Sequence, residues 1–319
     1  MNKSIKIYVA GHKGLAGSAI LRKLKKEGYA NLLLRTSAEL DLTNQLAVQD
    51  FFQKEKPDYV FLAAAKVGGI LANSRYPASF IYNNLMIQSN VLESAYQSGV
   101  KRLLFLGSSC IYPRNCPQPI KEEYLLSSEL EPTNRPYAIA KIAGVEATWS
   151  YNRQYGTRFL SIMPTNLYGP GDNYDLQNSH VLPALLRKMH EAKNTGSPVT
   201  VWGTGAAKRE FLYSDDLAAA AVFLMALEEN GWQKIFLDKE PLFNVGYGTD
   251  LSIKELVTTI AEAVDFKGDL LWDTSKPDGT PRKFLDCTRI FALGWRPETP
   301  LQEGLIKTYE DFCRNGFRG

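Results

Sequence analysis

"IKIYVAGHKGLAG", residues 5–17, decides the fold. An apolar run from Ile7 to Ala10 meets Gly11, and glycine returns at Gly14 and Gly17. Strands that are apolar without alternation are buried on both faces, as in parallel sheets. The following "LAGSAILRKLKKEG" has helical spacing, with Ile20, Leu21 and Leu24 on one face. Glycines at G-x-x-G-x-x-G allow the tight turn and let backbone approach a pyrophosphate, whose charge the helix N-terminus attracts. A glycine pattern alone is weak evidence. Its place between the first strand and the first helix makes it a dinucleotide-binding signature.

Outward from this unit, strand and helix alternate strictly. "ANLLLRT" (30–36) is a second strand. "TNQLAVQDFFQKEKP" (43–57) is a helix with Thr43 as its N-cap, and "DYVFLAAA" (58–65) is a third strand. "NNLMIQSNVLESAYQSG" (83–99) and "PYAIAKIAGVEATWSYNRQYG" (136–156) are long helices. "RLLFLGSS" (102–109) and "RFLSIMPTN" (158–166) are further strands. The expected fold is α/β, a doubly wound parallel sheet over residues 1–168 with a smaller C-terminal α/β domain over 169–319. "PVTVWG" and "PLFNVGYG", within segments near 196–220 and 241–248, are expected to return to the first domain.

Composition narrows the function classes. The 319 residues are 45% hydrophobic with a formal net charge of +3 and no basic block, which speaks against nucleic acid as partner. The longest apolar run, "LAAAAVFLMAL" (217–227), is too short to span a bilayer and reads as a buried helix. "MNKSIKIYVAG" lacks the apolar core of a signal peptide. Cys110, Cys116, Cys287 and Cys313 have neither metal-ligand nor disulfide-framework spacing. A reduced, cytoplasmic protein without a metal is expected.

The second strand ends "LLLRTSAE". An acidic residue there would take the ribose 2′-OH of NAD. Arg35, with Lys13 in the glycine loop, instead suits a 2′-phosphate and favours NADP(H); Glu39 is the counter-indication. Further on, Tyr137 and Lys141 form Y-x-x-x-K, whose spacing places both on one helix face. An ammonium beside a tyrosine favours the phenolate, lowering a pKa of about 10 toward the useful range. Ser108 stands at a strand's C-terminal end, where ligands bind in such sheets.

These residues resemble the extended short-chain dehydrogenase/reductases, a Rossmann-type family, over essentially the whole chain. The resemblance sharpens at "AAAKVGGI", "GSSCIYP", "EPTNRPYAIAKIAG", "MPTNLYGP", "NSHVLPALLRK" and "VWGTGAAKREFLYSDD". It points there to the members that epimerise GDP-4-keto-6-deoxy-D-mannose at C3 and C5 and reduce it at C4. It implies an NADP(H) site from Gly11, His12, Lys13, Gly14, Leu15, Ala16 and Gly17, continued by Arg35, Ser37, Asp41, Leu42 and Ala64. Leu106, Gly107, Ser108, Ser109, Lys141, Pro164, Thr165, Asn166, Leu167 and His180 complete it. Some relatives carry an arginine where this chain has Ser37. For the sugar nucleotide the resemblance implies Lys188, Arg209 and Lys283 on the diphosphate, Trp202 stacking, and Asp278 on hydroxyls. A homodimer through the helices around 83–100 and 136–156 follows by the same analogy.

Protons on C3 and C5 are α to the ketone. Inverting each centre requires removal on one face and return on the other, so two groups on opposite faces are needed. Cys110, two residues past Ser108, flanks the same ketone, and His180 approaches from the second domain. The resemblance makes Cys110 the base and His180 the acid, with Ser108, Tyr137 and Lys141 serving the reduction. An electropositive setting, chiefly Lys141, is expected to supply thiolate. Taken singly, Cys110 reads as an apolar filler and His180 as a helix cap. Two alternatives stand beside this reading. A nucleotide-sugar 4-epimerase or 4,6-dehydratase would regenerate its cofactor rather than consume it. A non-catalytic NADP-sensing protein would bind cofactor without turnover.

Overall fold

The computed structural model describes residues 2–176, 179–237, 241–276 and 278–316, with backbone only for Ile70, Leu71 and Leu237. Asn178 of "NSHVLP" and Pro277 of "KPDGT" lie outside the described residues.

Six strands form one parallel sheet. Its order is Leu242–Val245, Phe159–Pro164, Arg102–Leu106, Tyr59–Leu62, Ile7–Ala10 and Leu32–Leu33. The chain starts near one edge, steps outward to Leu32–Leu33, then crosses back to Tyr59–Leu62. The sheet therefore reverses direction beside Ile7–Ala10, and ligands of such sheets bind at the strands' C-terminal ends near that reversal. Every residue of Ile7–Ala10, Arg102–Leu106 and Phe159–Pro164 is buried, as their largely apolar sequences require, with Arg102 and Ser161 the polar exceptions.

Helix Leu15–Lys26 packs on Ser214–Ala226. The latter contains the apolar run read as a core helix, and Leu217, Ala218, Ala220 and Leu224 are fully buried in it. Helix Pro77–Gln97 packs between Gln45–Glu55 and Arg135–Tyr155. The cap of Gln45–Glu55 is Asn44, whose side chain accepts from Ala47 N–H at 3.2 Å, one residue later than expected. Thr43 is instead held by Asp41.

A second apolar cluster joins helices Val181–Thr195, Ile253–Val264 and Leu301–Asn315 through Leu185, Leu186, Leu256, Ile260 and Phe312. Strand Val199–Trp202, from "PVTVWG", pairs here with Leu270–Asp273 in a separate two-stranded sheet. Strand Leu242–Val245, from "PLFNVGYG", is the sixth strand of the main sheet. Two short pieces bridge toward the site. Asn166–Tyr168 pairs with Phe211–Tyr213, and Lys208–Arg209 lies between Leu251–Ser252 and Arg282–Lys283.

Candidate active site

Gly11 sits at φ +83°, and a Cβ there would fall 2.7 Å from the Ala64 nitrogen. A Cβ on Gly17 would fall 2.1 Å from the Gly11 carbonyl oxygen. The loop therefore lies flush against the end of the third strand and the start of its own helix. Gly14, the N-cap of Leu15–Lys26, supplies no side-chain cap. The His12 Nδ1 is buried without a partner, and burial, helped by Lys13, holds the imidazole below its usual pKa. A glycine cradle, an uncapped helix start and an orphaned ring nitrogen fit a dinucleotide pyrophosphate.

Arg35 follows the second strand and packs 5.5 Å over the Phe51 ring. Its guanidinium donates to Glu55 Oε1 at 2.8 Å and to the Leu34 carbonyl at 2.9 Å. Sequence reading missed Glu55, which lies twenty residues away on a different element. Glu39, the counter-indication, accepts the Thr36 N–H at 2.7 Å and is satisfied within its own turn. Ser37 and Asp41 are exposed nearby, with Asp41 accepting both donors of Thr43 at 2.9 and 2.8 Å. The Leu42 carbonyl accepts from Asn90 at 2.9 Å.

The strand Arg102–Leu106 delivers the reactive cluster. Ser108 is extended at φ −160° and caps the single 3₁₀ turn Ser109–Ile111, accepting the Cys110 N–H at 3.4 Å. The same hydroxyl faces the Tyr137 phenol closely enough to oppose the rise of its pKa. A Cβ on Gly107 would strike Met163, so close strand packing holds this turn in place. Lys141 is buried and donates to the Leu106 carbonyl at 2.8 Å, with Nζ 4.7 Å from the Phe105 ring centroid and 5.9 Å from that of Tyr137. One strand end, one turn and one helix face thus bring Ser108, Cys110, Tyr137 and Lys141 together.

Electrostatics there departs from expectation in two respects. Burial pushes Tyr137 well above its ordinary value, and the Cys110 charge adds to this, opposed only by the Ser108 hydroxyl. The expected lowering of Tyr137 by Lys141 is not the governing effect; burial instead brings Lys141 itself down to about 8. Burial likewise raises the Cys110 thiol. The strongest opposing charge is Lys283, ahead of Lys141.

His180 occupies the N-cap position of Val181–Thr195, yet its side chain makes no cap bond. The residue as a whole is exposed, while burial around its imidazole, with the Lys283 charge, lowers its pKa. Lys283 therefore acts on both proton-transfer candidates. It pairs in register with Arg209.

The other sugar-nucleotide candidates are more committed. Asp278 accepts the Thr204 N–H and hydroxyl, both at 2.7 Å, fixing the turn after Trp202. Trp202 is 65% exposed, with the Lys276 Nζ 5.8 Å from its ring centroid. Lys188 donates to the Thr200 carbonyl at 3.3 Å, and Arg209 to the Lys208 carbonyl at 2.8 Å. Thr165 and Asn166, past Pro164 and before Leu167, donate to the carbonyl of Glu210, a fully buried residue that sequence reading did not single out. Its only signal was one charge inside the apolar "EFLY". Among the described residues no His/Cys/Asp/Glu group is arranged to hold a metal.

Residues 7–246 match the NAD dependent epimerase/dehydratase family. The chain is 56% identical over 316 residues to "Putative GDP-L-fucose synthase 2" of Arabidopsis thaliana, covering 99% of this chain and 94% of that protein. It is 54% identical over 317 residues to the GDP-L-fucose synthase of Escherichia coli K12, covering 98% and 99%. The crystal structure of a GDP-L-fucose synthetase from Naegleria fowleri bound to NADP superposes with a TM-score of 0.89 at 29% identity, covering 100% of this chain and 98% of that one.

Proposed function

The chain belongs to the NAD dependent epimerase/dehydratase family, and we infer that within it the protein is an NADP-dependent oxidoreductase with epimerase activity. It converts GDP-4-keto-6-deoxy-D-mannose to GDP-L-fucose by epimerisation at C3 and C5 followed by reduction at C4. The observation that carries this reading is the clustering of the Cys110 thiol, the Ser108 hydroxyl and the Tyr137 phenol, with the Lys283 charge acting on both Cys110 and His180.

We propose the following roles. Cys110, as thiolate, takes the α-proton, and Ser108 and Tyr137 hold the ketone oxygen on which negative charge develops. His180 returns a proton from the opposite face. Tyr137 protonates O4 during reduction, for which bound NADPH would supply the hydride. Lys141, anchored on Leu106, keeps a positive charge beneath the reacting oxygen. Arg209 meets the anionic diphosphate, and Trp202 offers an exposed ring face. The test is incubation with GDP-4-keto-6-deoxy-D-mannose and NADPH, following NADPH absorbance and the stereochemistry of the product. Cofactor consumption equal to product, inverted at C3 and C5, is expected. A product without NADPH consumption would favour an epimerase or dehydratase.

We further propose that Arg35, with Lys13, holds the 2′-phosphate of NADP(H), exchanging its Glu55 partner for the phosphate. Arg35→Ala is expected to weaken NADPH by roughly tenfold to hundredfold, as loss of a charge-assisted hydrogen bond of about 1.5–3 kcal/mol implies, and to leave NADH little changed. Glu55→Gln is expected to tighten NADPH. Fluorescence titration with both cofactors checks this; an unchanged NADPH/NADH ratio in Arg35→Ala places the phosphate elsewhere.

The division at residue 168, with segments near 196–220 and 241–248 returning to the cofactor domain, is a proposal supported by there being two apolar clusters, the first of which also takes in residues within 212–245 and 285–295. So is a homodimer. Helices Pro77–Gln97 and Arg135–Tyr155 pack side by side and expose Tyr82, Ile139 and Tyr155. A cytoplasmic location is supported by four free cysteines. No helix among the described residues is long and apolar enough to cross a membrane.

A further inference from the structure

We propose that Glu210 is a positioning residue that ties the cofactor side of the site to the strand carrying Lys283, so that proton exchange at C3 and C5 depends on it. The inference rests on the epimerase/reductase reading above.

Glu210 is fully buried between the short strands Lys208–Arg209 and Phe211–Tyr213. Its carboxylate reaches two segments. Oε1 accepts the Gly248 N–H at 2.8 Å, and Oε2 accepts the Leu285 N–H at 3.2 Å. Its main-chain carbonyl reaches a third, accepting Thr165 Oγ1 at 3.1 Å and Asn166 Nδ2 at 2.8 Å. The carboxylate lies directly on Gly246, where a Cβ would fall 2.3 Å from Oε1. A carboxylate sealed from water is costly unless its oxygens are met by donors. Here burial raises its pKa to about 7 against the pull of the Gly248 and Leu285 amides. The side chain is suited to this place because two oxygens can each accept one N–H; an amide would turn its NH₂ against one of them.

What the carboxylate holds explains its effect. Leu285 lies two residues past Lys283, whose charge acts on Cys110 and His180. Releasing the Leu285 amide removes one of the holds on this segment, which Ile120 and Gln118 also grip, and so loosens the placement of Lys283. The Asn166 contact runs through the main-chain carbonyl and does not need the side chain, and Thr165 bonds the same carbonyl while also pulling on the carboxylate. The two halves of the site should therefore separate in a side-chain variant.

The experiment uses the full chain. Glu210→Gln is expected to slow solvent-deuterium incorporation at C3 and C5 of the sugar nucleotide by about tenfold to hundredfold, the scale of a small misplacement at a reacting centre. The KM for the sugar nucleotide should rise alongside, while NADPH affinity stays near wild type. Gly246→Ala, which crowds the carboxylate without removing it, should move the same two quantities if Glu210→Gln does not fold. Wild-type exchange and KM in a folded variant would overturn the proposal. So would equal loss of exchange and NADPH binding with a lowered melting temperature, which marks a general structural role. Absence of exchange in the wild-type protein would instead remove the functional reading itself.

Discussion

Cys110→Ser is expected to abolish deuterium incorporation at C3 and C5 while NADPH is still consumed slowly. Serine keeps the size and the turn, since the residue-110 amide still donates to Ser108. A hydroxyl is a far weaker base than a thiolate, and loss of a positioned acid–base group costs typically 10²–10⁴-fold. Tyr137 and Ser108 stay in place, so the C4 ketone remains reducible. The released 6-deoxyhexose should keep its starting configuration at C3 and C5. His180→Gln should differ, with exchange persisting at C3 but inversion stalling. Mass spectrometry of the product formed in D₂O reads both outcomes. Wild-type exchange in Cys110→Ser would return this thiol to the role of apolar packing.

Tyr137→Phe is expected to show the opposite separation. Cys110 and Ser108 remain, so deuterium should still enter C3 and C5. Reduction should fall by roughly 10²–10⁴-fold, the usual cost of losing a positioned general acid, since Ser108 alone is a weaker acid toward O4. Pre-epimerised substrate would sharpen the test, and normal NADPH oxidation with it would exclude Tyr137 as the acid. The two steps should also answer oppositely to pH. Burial raises the Cys110 thiol, so exchange should climb with pH past the ordinary thiol range. Lys141 loses its proton as pH rises through about 8, so reduction should decline there.

The parallel sheet was legible because its strands are buried on both faces and advertise it as largely apolar runs. "IKIYVAG", "RLLFLG" and "RFLSIMP" all became strands of the main sheet. Ser108, Tyr137 and Lys141 were legible because a strand end and a helical spacing of four are local facts. Glu55 and Glu210 were not, since each matters through a partner distant in sequence: Arg35 for one, Leu285 for the other. Electrostatics misled for a related reason. Spacing shows which charges are neighbours along a helix, whereas burial depends on the whole fold, and at Tyr137, Lys141 and Cys110 burial is the largest influence. The prominence of Lys283 arises from its strand pairing with Arg209, which no motif spacing encodes.

The turn capped by Ser108 bears on how this catalyst would make mistakes. Thiol and oxygen grip are leashed to each other across two residues of one chain segment. The His180 imidazole, proposed as the acid, stands ahead of its helix with no side-chain cap bond to hold it there. Warming should therefore blur the returning proton's direction well before it blurs the departing one. The characteristic error of an overheated enzyme would be a wrong stereoisomer, formed at nearly full speed, rather than a slow reaction.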